Sequence, residues 1–538
     1  MKPLFLLIAV LWSLPINAQV HLQGTVKDAT GKAPIVSDIH IGQPGADATS
    51  YACSKDGTFE IKLPKAGYYQ LRASAVNHQE VSVPLIVRET DKKIELNLQL
   101  RPNEYTDSYE KVRIIGDWNN FKFSGTDTMT RSGSKFIYTR TAEADSVGYQ
   151  LLDIAGGHSV NGTHADHFVY DGGGDYRSVV KTKKGDQVLI TFDPEKIVYP
   201  KNESLPKVDF AGNQLLNTIY ILNATAASMR AKAMVIPPGG GAATMNSTKY
   251  REIIDYLRAE FEKAKDKEVA QFAAVTLANE FNPTVPFDSA LAKKILDAVP
   301  ASSPMWAIAP YAVFTMCDFV SKDLAAAYKA DLVASNPSPT IRALVYADRL
   351  AQAYEAKDKQ VAKELYDFIK KEYSNISEIK YTLQKYNPDA VIQVGRKIPA
   401  FELDLLDASS AKVSNASMLG KFYMIDFWAT WCGPCVREMP AIHKAYARFK
   451  GRKGFDILSV SMDGSVAQIA PFRKKWKMPW MHAFIPGVFD AEMAKQFEVA
   501  GIPKPVLVDA SGNVVAMQEE LRGENLEQTL EKFLSGEN

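Results

Sequence analysis

The chain has 538 residues, which at roughly 150 residues per domain predicts about three or four domains, each able to bury its own core. Its 63 basic and 62 acidic residues leave a net charge of +1, so no field of either sign recruits a nucleic acid or an anionic membrane. Hydrophobic residues at 46% and aromatic residues at 10% exclude long disorder, a collagen-like repeat and a membrane bundle.

The first eighteen residues carry Lys2, an apolar run from Leu4 to Leu14, a breaker at Pro15 and the small Ala18. This pattern predicts a secretory signal over 1–18 and a mature start near Gln19. The apolar run is short for a bilayer span, and no later stretch offers eighteen uninterrupted apolar residues. No cysteine adjoins the cleavage site to take a lipid. The expectation is an exported protein of the periplasm or cell envelope with no membrane span in the mature chain.

From 19 to 101 short alternating runs between turn signals predict a small β-sandwich, with strands at Gln23 to Val26, Gly57 to Ile61, Tyr68 to Ala73 and Lys93 to Leu100. The words Gly24-Thr25-Val26-Lys27-Asp28, Asp56-Gly57-Thr58-Phe59 and Gly67-Tyr68-Tyr69 resemble the carboxypeptidase-regulatory-like sandwiches of secreted proteins. That resemblance implies a spacer or docking module without chemistry. A second β-rich stretch, 104–200, suggests strands at Lys111 to Ile115, Lys135 to Arg140, Gly148 to Ile154 and Gln187 to Phe192. Ile114 to Phe121, Tyr149 to Leu152 and Asp171-Gly172-Gly173 resemble the immunoglobulin-like glycogen-recognition modules. Such modules stack sugars on exposed rings, which would make Trp118 and Phe121 the platform for a weak glycan contact, unless both are core plugs. His158, His164, Asp166 and His167 match no compact metal motif and read as a solvated loop among glycines.

After Pro237-Pro238-Gly239-Gly240-Gly241 the period turns helical. Tyr250, Ile253, Ile254, Leu257 and Phe261 form one apolar face, and similar faces recur to Tyr373. The region 210–389 is therefore expected to be all-α, built of antiparallel hairpins, the last pair faintly resembling a tetratricopeptide hairpin.

Chemistry concentrates in 391–538. The apolar run Phe422 to Trp428 leads to Trp431-Cys432-Gly433-Pro434-Cys435, and a helical pattern follows. Cys432 then sits at a helix N-terminus, where free N–H groups and the dipole favour the thiolate, so it should be the nucleophile. Cys435, one turn on, can attack the mixed disulfide formed on Cys432. Structural zinc needs four ligands, and no second Cys-x-x-Cys or His-x-x-His follows. Cys53 and Cys317 fall in different predicted domains, where buried, inert thiols are the expectation. Asp426 is the odd residue of its strand; desolvation should raise its pKa toward neutrality.

This segment resembles thioredoxin, and its surroundings resemble the exported thiol-disulfide oxidoreductases of the TlpA and ResA type, over about 145 residues from Val394 to the C-terminus. The resemblance implies a central sheet flanked by helices, a kink at Pro440 and a cis Ile502-Pro503 bond beside the cysteines. The backbone of Ile502 would pair with an extended substrate, and Pro503 would crowd out a metal. Asp426 would accept the proton of Cys435, Glu438 matches an acidic residue near the active site of ResA-like proteins, and Trp428 and Trp431 would shape the surface around Cys432. Lys504-Pro505 depart from the family, which more often has a small polar residue there, so contacts beside the cleft should differ.

The fold expected is thus multidomain: two N-terminal β-sandwich-like domains, an all-α middle region and a C-terminal α/β thioredoxin-like domain. The function expected is disulfide reduction in exported clients by a Cys432–Cys435 dithiol, with no metal and no further cofactor, recharged by a membrane electron donor. A peroxiredoxin-type thiol peroxidase would need Pro-x-x-x-Thr-x-x-Cys, and Ile425 and Ala429 stand where its Pro and Thr should be. An envelope glycan-binding protein with a secondary redox domain is the reading from a different class.

Overall fold

The computed structural model describes residues 20–535 apart from 45, 105–109, 123–125, 156–157, 163, 197–205, 236–243, 281–287 and 408–410. The expected signal over 1–18 lies outside the described residues. Among them, no helix is long and apolar enough to cross a membrane. The chain divides into two units, the first reaching Val345 and the second beginning again at Tyr346.

The first unit starts with two four-stranded sheets. One has the order Lys207–Phe210, Lys93–Gln99, Val20–Lys27, Thr58–Leu63; the other has Thr49–Ala52, Ser37–Gly42, Gly67–Ala75, Val81–Val87. Alternation sends Phe59, Ile61 and Leu63 inward while Thr58, Glu60 and Lys62 face water, as a half-buried strand requires. Gly24 is dictated by packing: a Cβ there would lie 1.6 Å from the Leu96 carbonyl oxygen of the neighbouring parallel strand. The first module is not confined to 19–101 as expected. Lys207–Phe210 is a strand that returns to the first module and pairs antiparallel with Lys93–Gln99, closing a sheet across more than a hundred intervening residues.

Those intervening residues form the second β-module. One sheet holds Thr130–Ser132, Lys135–Thr141 and Gln187–Phe192; the other runs His167–Gly172, Asp175–Lys181, Ser146–Ala155, Arg113–Gly116, Asp127–Thr128. Val112, Ile114, Tyr149, Leu151, Ile190 and Phe192 fill the core between them. His167 therefore opens a strand, although its side chain and that of His164 are exposed; no metal-holding cluster occurs among the described residues. Trp118 is half-buried, stacked on Tyr138 and crossed by Arg140, and its Nε1 donates to Asp127 at 3.0 Å. Arg177 lies over the Phe121 ring at 4.0 Å. A polar network joins the two modules: the Tyr176 hydroxyl donates to Asp38 at 2.8 Å and meets Ser74 Oγ, which in turn meets His40 Nε2.

Helices follow at Gln214–Ala233, Ser247–Lys263, Lys267–Asn279, Ser289–Ala298 and Lys322–Ser335, each begun by an Asn, Asp or Ser whose side chain accepts from a first-turn N–H. The face Tyr250, Ile253, Ile254, Leu257, Phe261 is buried and belongs to the same hydrophobic core as the first two sheets. Two corrections apply to the all-α expectation for 210–389. A two-stranded ribbon pairs Met234–Val235 with Thr244–Met245, and the region is split between the units rather than forming one body. Cys317 is buried as expected, whereas Cys53 is only half-buried, and no disulfide joins the two.

The second unit contains the helices Lys359–Tyr373 and Lys380–Lys385 and a five-stranded sheet in the order Met481–Phe484, Asp456–Ser461, Tyr423–Trp428, Lys504–Val508, Val514–Met517. The first three of these strands are parallel, and Lys504–Val508 runs antiparallel to both of its neighbours. Every residue of the central strand Tyr423–Trp428 is buried, because both faces of the sheet are covered. Tyr423, Ile425 and Phe427 enter one core, with Phe497 and Val499; Met424 and Trp428 enter the other, with the helices Gly433–Phe449 and Glu524–Leu534. Asp426 shares the parity of Met424 and Trp428 and lies between them. Gln384 Nε2 donates to the Glu498 carbonyl at 2.7 Å, tying the short helix to the loop that precedes Pro503.

Candidate active site

The central strand ends at Trp428, and four residues later Cys432 caps the helix Gly433–Phe449. Its Sγ accepts from the Cys435 backbone N–H at 3.1 Å, the kind of donor a helix start leaves unsatisfied. Cys432 and Cys435 are joined in a disulfide with Cα atoms 5.3 Å apart, and both are buried. Pro440 lies inside this helix. The Ile502–Pro503 bond is cis, and the Ile502 carbonyl oxygen lies 3.7 Å from Cys432 Sγ. An extended chain laid along Ile502 would therefore run beside Cys432 Sγ.

The two tryptophans part company. Trp431 is 54% exposed beside Cys432, whereas Trp428 is 0% exposed and packs on Phe472. The expectation that Trp428 shapes the surface is corrected: it is a core residue, placed by the parity of its strand. Lys504 is corrected as well. It turns away from the cleft, is buried, and its Nζ donates to the carbonyls of Phe497 at 2.7 Å and Glu498 at 2.6 Å. Burial pushes its pKa down to about 8.

Behind Cys435 lies a cavity of about 10 Å³, the smallest space that admits one water. Asp426, Cys435, Glu438, Pro503, Pro505 and Arg522 line it. Burial, and next the neighbouring Glu438 charge, push the Asp426 carboxyl up to about 7, while Arg522 acts in the opposite direction. Among the described residues no donor reaches the Asp426 carboxylate. Glu438 is held on both oxygens: Arg522 Nε lies 3.2 Å from Oε1, and the Gly523 N–H donates to Oε2 at 2.7 Å.

Two residues of this site were not anticipated. Arg522 sits between the short helix Gln518–Leu521 and the closing helix, 84 residues from Glu438 in sequence. Asp463 is 0% exposed and anchors the approach to Cys432, accepting from the Thr430 N–H at 3.0 Å, the Thr430 hydroxyl at 2.6 Å and the Ser461 hydroxyl at 2.8 Å. The Ser-x-Asp spacing at the end of the strand Asp456–Ser461 was its one sequence signal.

Residues 394–517 match the AhpC/TSA family. Over 149 residues the chain is 28% identical to the thiol-disulfide oxidoreductase ResA of Bacillus cereus, covering 28% of this chain and 81% of that protein. The C-terminal redoxin domain is thus similar to the ResA-type thiol-disulfide oxidoreductases. The chain is also 34% identical over 110 residues to probable nucleoredoxin 1 of Arabidopsis thaliana, covering 20% of this chain and 18% of that protein. Among solved structures, the thioredoxin domain of a thiol-disulfide oxidoreductase from Bacteroides vulgatus matches at 31% identity, with 27% of this chain and 99% of that chain covered and a TM-score of 0.24. These three likenesses cover 28%, 20% and 27% of this chain respectively.

Proposed function

We propose that the chain is an exported protein-disulfide reductase whose working groups are Cys432 and Cys435. The observation that carries this reading is the disulfide at the start of the active-site helix, with the cis Ile502–Pro503 backbone on one side and an exposed Trp431 on the other. In the reduced enzyme the Cys432 thiolate attacks a client disulfide, forming a mixed disulfide and releasing one client thiolate, which takes up a proton. Cys435 then loses its proton, attacks Cys432 Sγ and releases the second client thiol. The client gains two electrons and the enzyme is left as the disulfide described here.

Asp426 takes the Cys435 proton, Glu438 sits beside it, and Trp431, Ile502 and Pro503 form the surface on which the client strand lies. Cationic Lys2, the apolar run from Leu4 to Leu14 and Ala18 support export to the periplasm or envelope, where the clients would be exported proteins carrying disulfides. An external dithiol, held by a membrane electron donor, must return the electron pair. The disulfide pair is the whole redox equipment of this mechanism. A glycan platform at Trp118 and Phe121 would have to displace Arg140 and Arg177 from the two rings.

The test is turnover by the full mature chain on a disulfide-bearing protein with dithiothreitol as reductant, run beside peroxide consumption. Client reduction that vanishes in Cys432→Ser, with no peroxide consumption above that control, is expected. Peroxide turnover without client reduction would replace the reductase by a peroxidase.

A further inference from the structure

Two carboxylates and one guanidinium meet behind Cys435, and their surroundings differ. Both Glu438 oxygens are occupied, by the Arg522 Nε–H and the Gly523 N–H, while among the described residues the Asp426 carboxylate receives no donor and faces the small cavity directly. Asp426 is 3% exposed, and Cys435, whose proton must leave during resolution, lines the same cavity. The adjoining strands contribute Ser459 and Pro505 opposite Asp426, so Glu438 and Arg522 are the charged groups that face it.

We propose that Arg522 is a positioning residue of the exchange reaction: by clamping Glu438 and opposing its charge, it reserves Asp426 as the group that takes the Cys435 proton. This inference rests on the reductase reading above and deepens it. Without the guanidinium, the Glu438 charge acts on Asp426 unopposed, and its released oxygens compete for the proton. The anionic form of Asp426 then becomes scarcer at neutral pH, and resolution slows there but not in alkali. A lysine at the same place keeps the charge and loses only the Nε–H that meets Glu438.

The experiment follows resolution directly. The full mature chain is reduced, mixed in single turnover with oxidised glutathione, quenched and alkylated, and closure of the Cys432–Cys435 bond is timed from pH 5 to 10. In Arg522→Gln the midpoint of the pH profile should rise by about one pH unit, making closure about fivefold slower at pH 7 and unchanged at pH 9.5. Arg522→Lys should retain most of the wild-type profile. Glu438→Gln should move the midpoint the other way, which keeps the proposal testable if Arg522→Gln folds poorly. Equal midpoints in wild type, Arg522→Gln and Glu438→Gln would overturn it, as would a fall in rate that is the same at every pH. Failure of the wild-type chain itself to close the bond would instead refute the reductase reading.

Discussion

Replacing Cys435 with serine should convert the enzyme into a trap. Cys432 keeps the backbone N–H of residue 435 and the helix start beneath it, so the first attack on a client disulfide still proceeds. No thiol then stands one turn away to release the client. The mixed disulfide should accumulate to near one per chain, and turnover should fall by about a thousandfold or more, since the two cysteines act as one unit. Non-reducing electrophoresis of an envelope extract from cells expressing Cys435→Ser should show dithiothreitol-sensitive adducts that are absent for the Cys432→Ser, Cys435→Ser double variant. Adducts of equal yield in both would place the reactive sulfur elsewhere in the chain.

The second large effect concerns Asp426. If Asp426 takes the Cys435 proton as proposed, Asp426→Asn should slow resolution at pH 7 by about a hundredfold and abolish the inflection near neutrality. The same substitution should stabilise the fold in alkali. The folded carboxyl is pushed up to about 7 from 3.8, so between those pH values the folded chain holds a proton that the unfolded chain has lost. Wild-type stability therefore falls as pH rises from about 4 to about 7 and is flat above, a loss on the order of 4 kcal/mol. Asp426→Asn escapes it. Urea midpoints of the two chains should agree in relative terms at pH 4 and diverge at pH 8 in favour of the variant. A variant less stable than wild type at pH 8 would mean that the carboxylate is satisfied in the folded state.

The sequence was most informative where chemistry and local structure coincide. Cys432 could be placed at a helix start because an apolar run stops just before it and a helical pattern begins just after. Asp426 stood out as a lone carboxylate inside an apolar strand, and the fold puts it against Cys435. The helical faces around Tyr250 to Phe261 were legible because a 3.6-residue period repeats over several turns. Three kinds of feature were hidden. Trp428 and Trp431 differ by three positions and look alike in sequence, yet a strand covered on both faces shows no alternation to reveal which indole is inside. Arg522 and Lys207–Phe210 act across 84 and more than a hundred residues respectively, and no local pattern records such pairings. Lys504 read as a surface departure because lysine is rarely buried, but two helix-end carbonyls satisfy its ammonium.

The modules before the redoxin domain have a physical role that does not depend on their resemblances. The first two sheets and the helices up to Val345 share one hydrophobic core, so this part of the chain is a single stable body rather than a string of spacers. In the second unit Gln384 and Glu498 link a helix directly to the loop that carries Pro503, and the Glu498 carboxylate accepts from the Val391 N–H at 3.0 Å. The segment 387–393 is thereby fastened to the loop that precedes Pro503.

Whether Cys432 and Cys435 work as a reducing dithiol is decided by the reduction potential of that pair. Equilibrating the full mature chain with graded dithiol buffers and alkylating the free thiols should give a single two-electron transition near −270 mV, roughly the thioredoxin value. A potential near −120 mV, about that of a strongly oxidising enzyme, would contradict the reductive direction and make the chain a donor of disulfides instead.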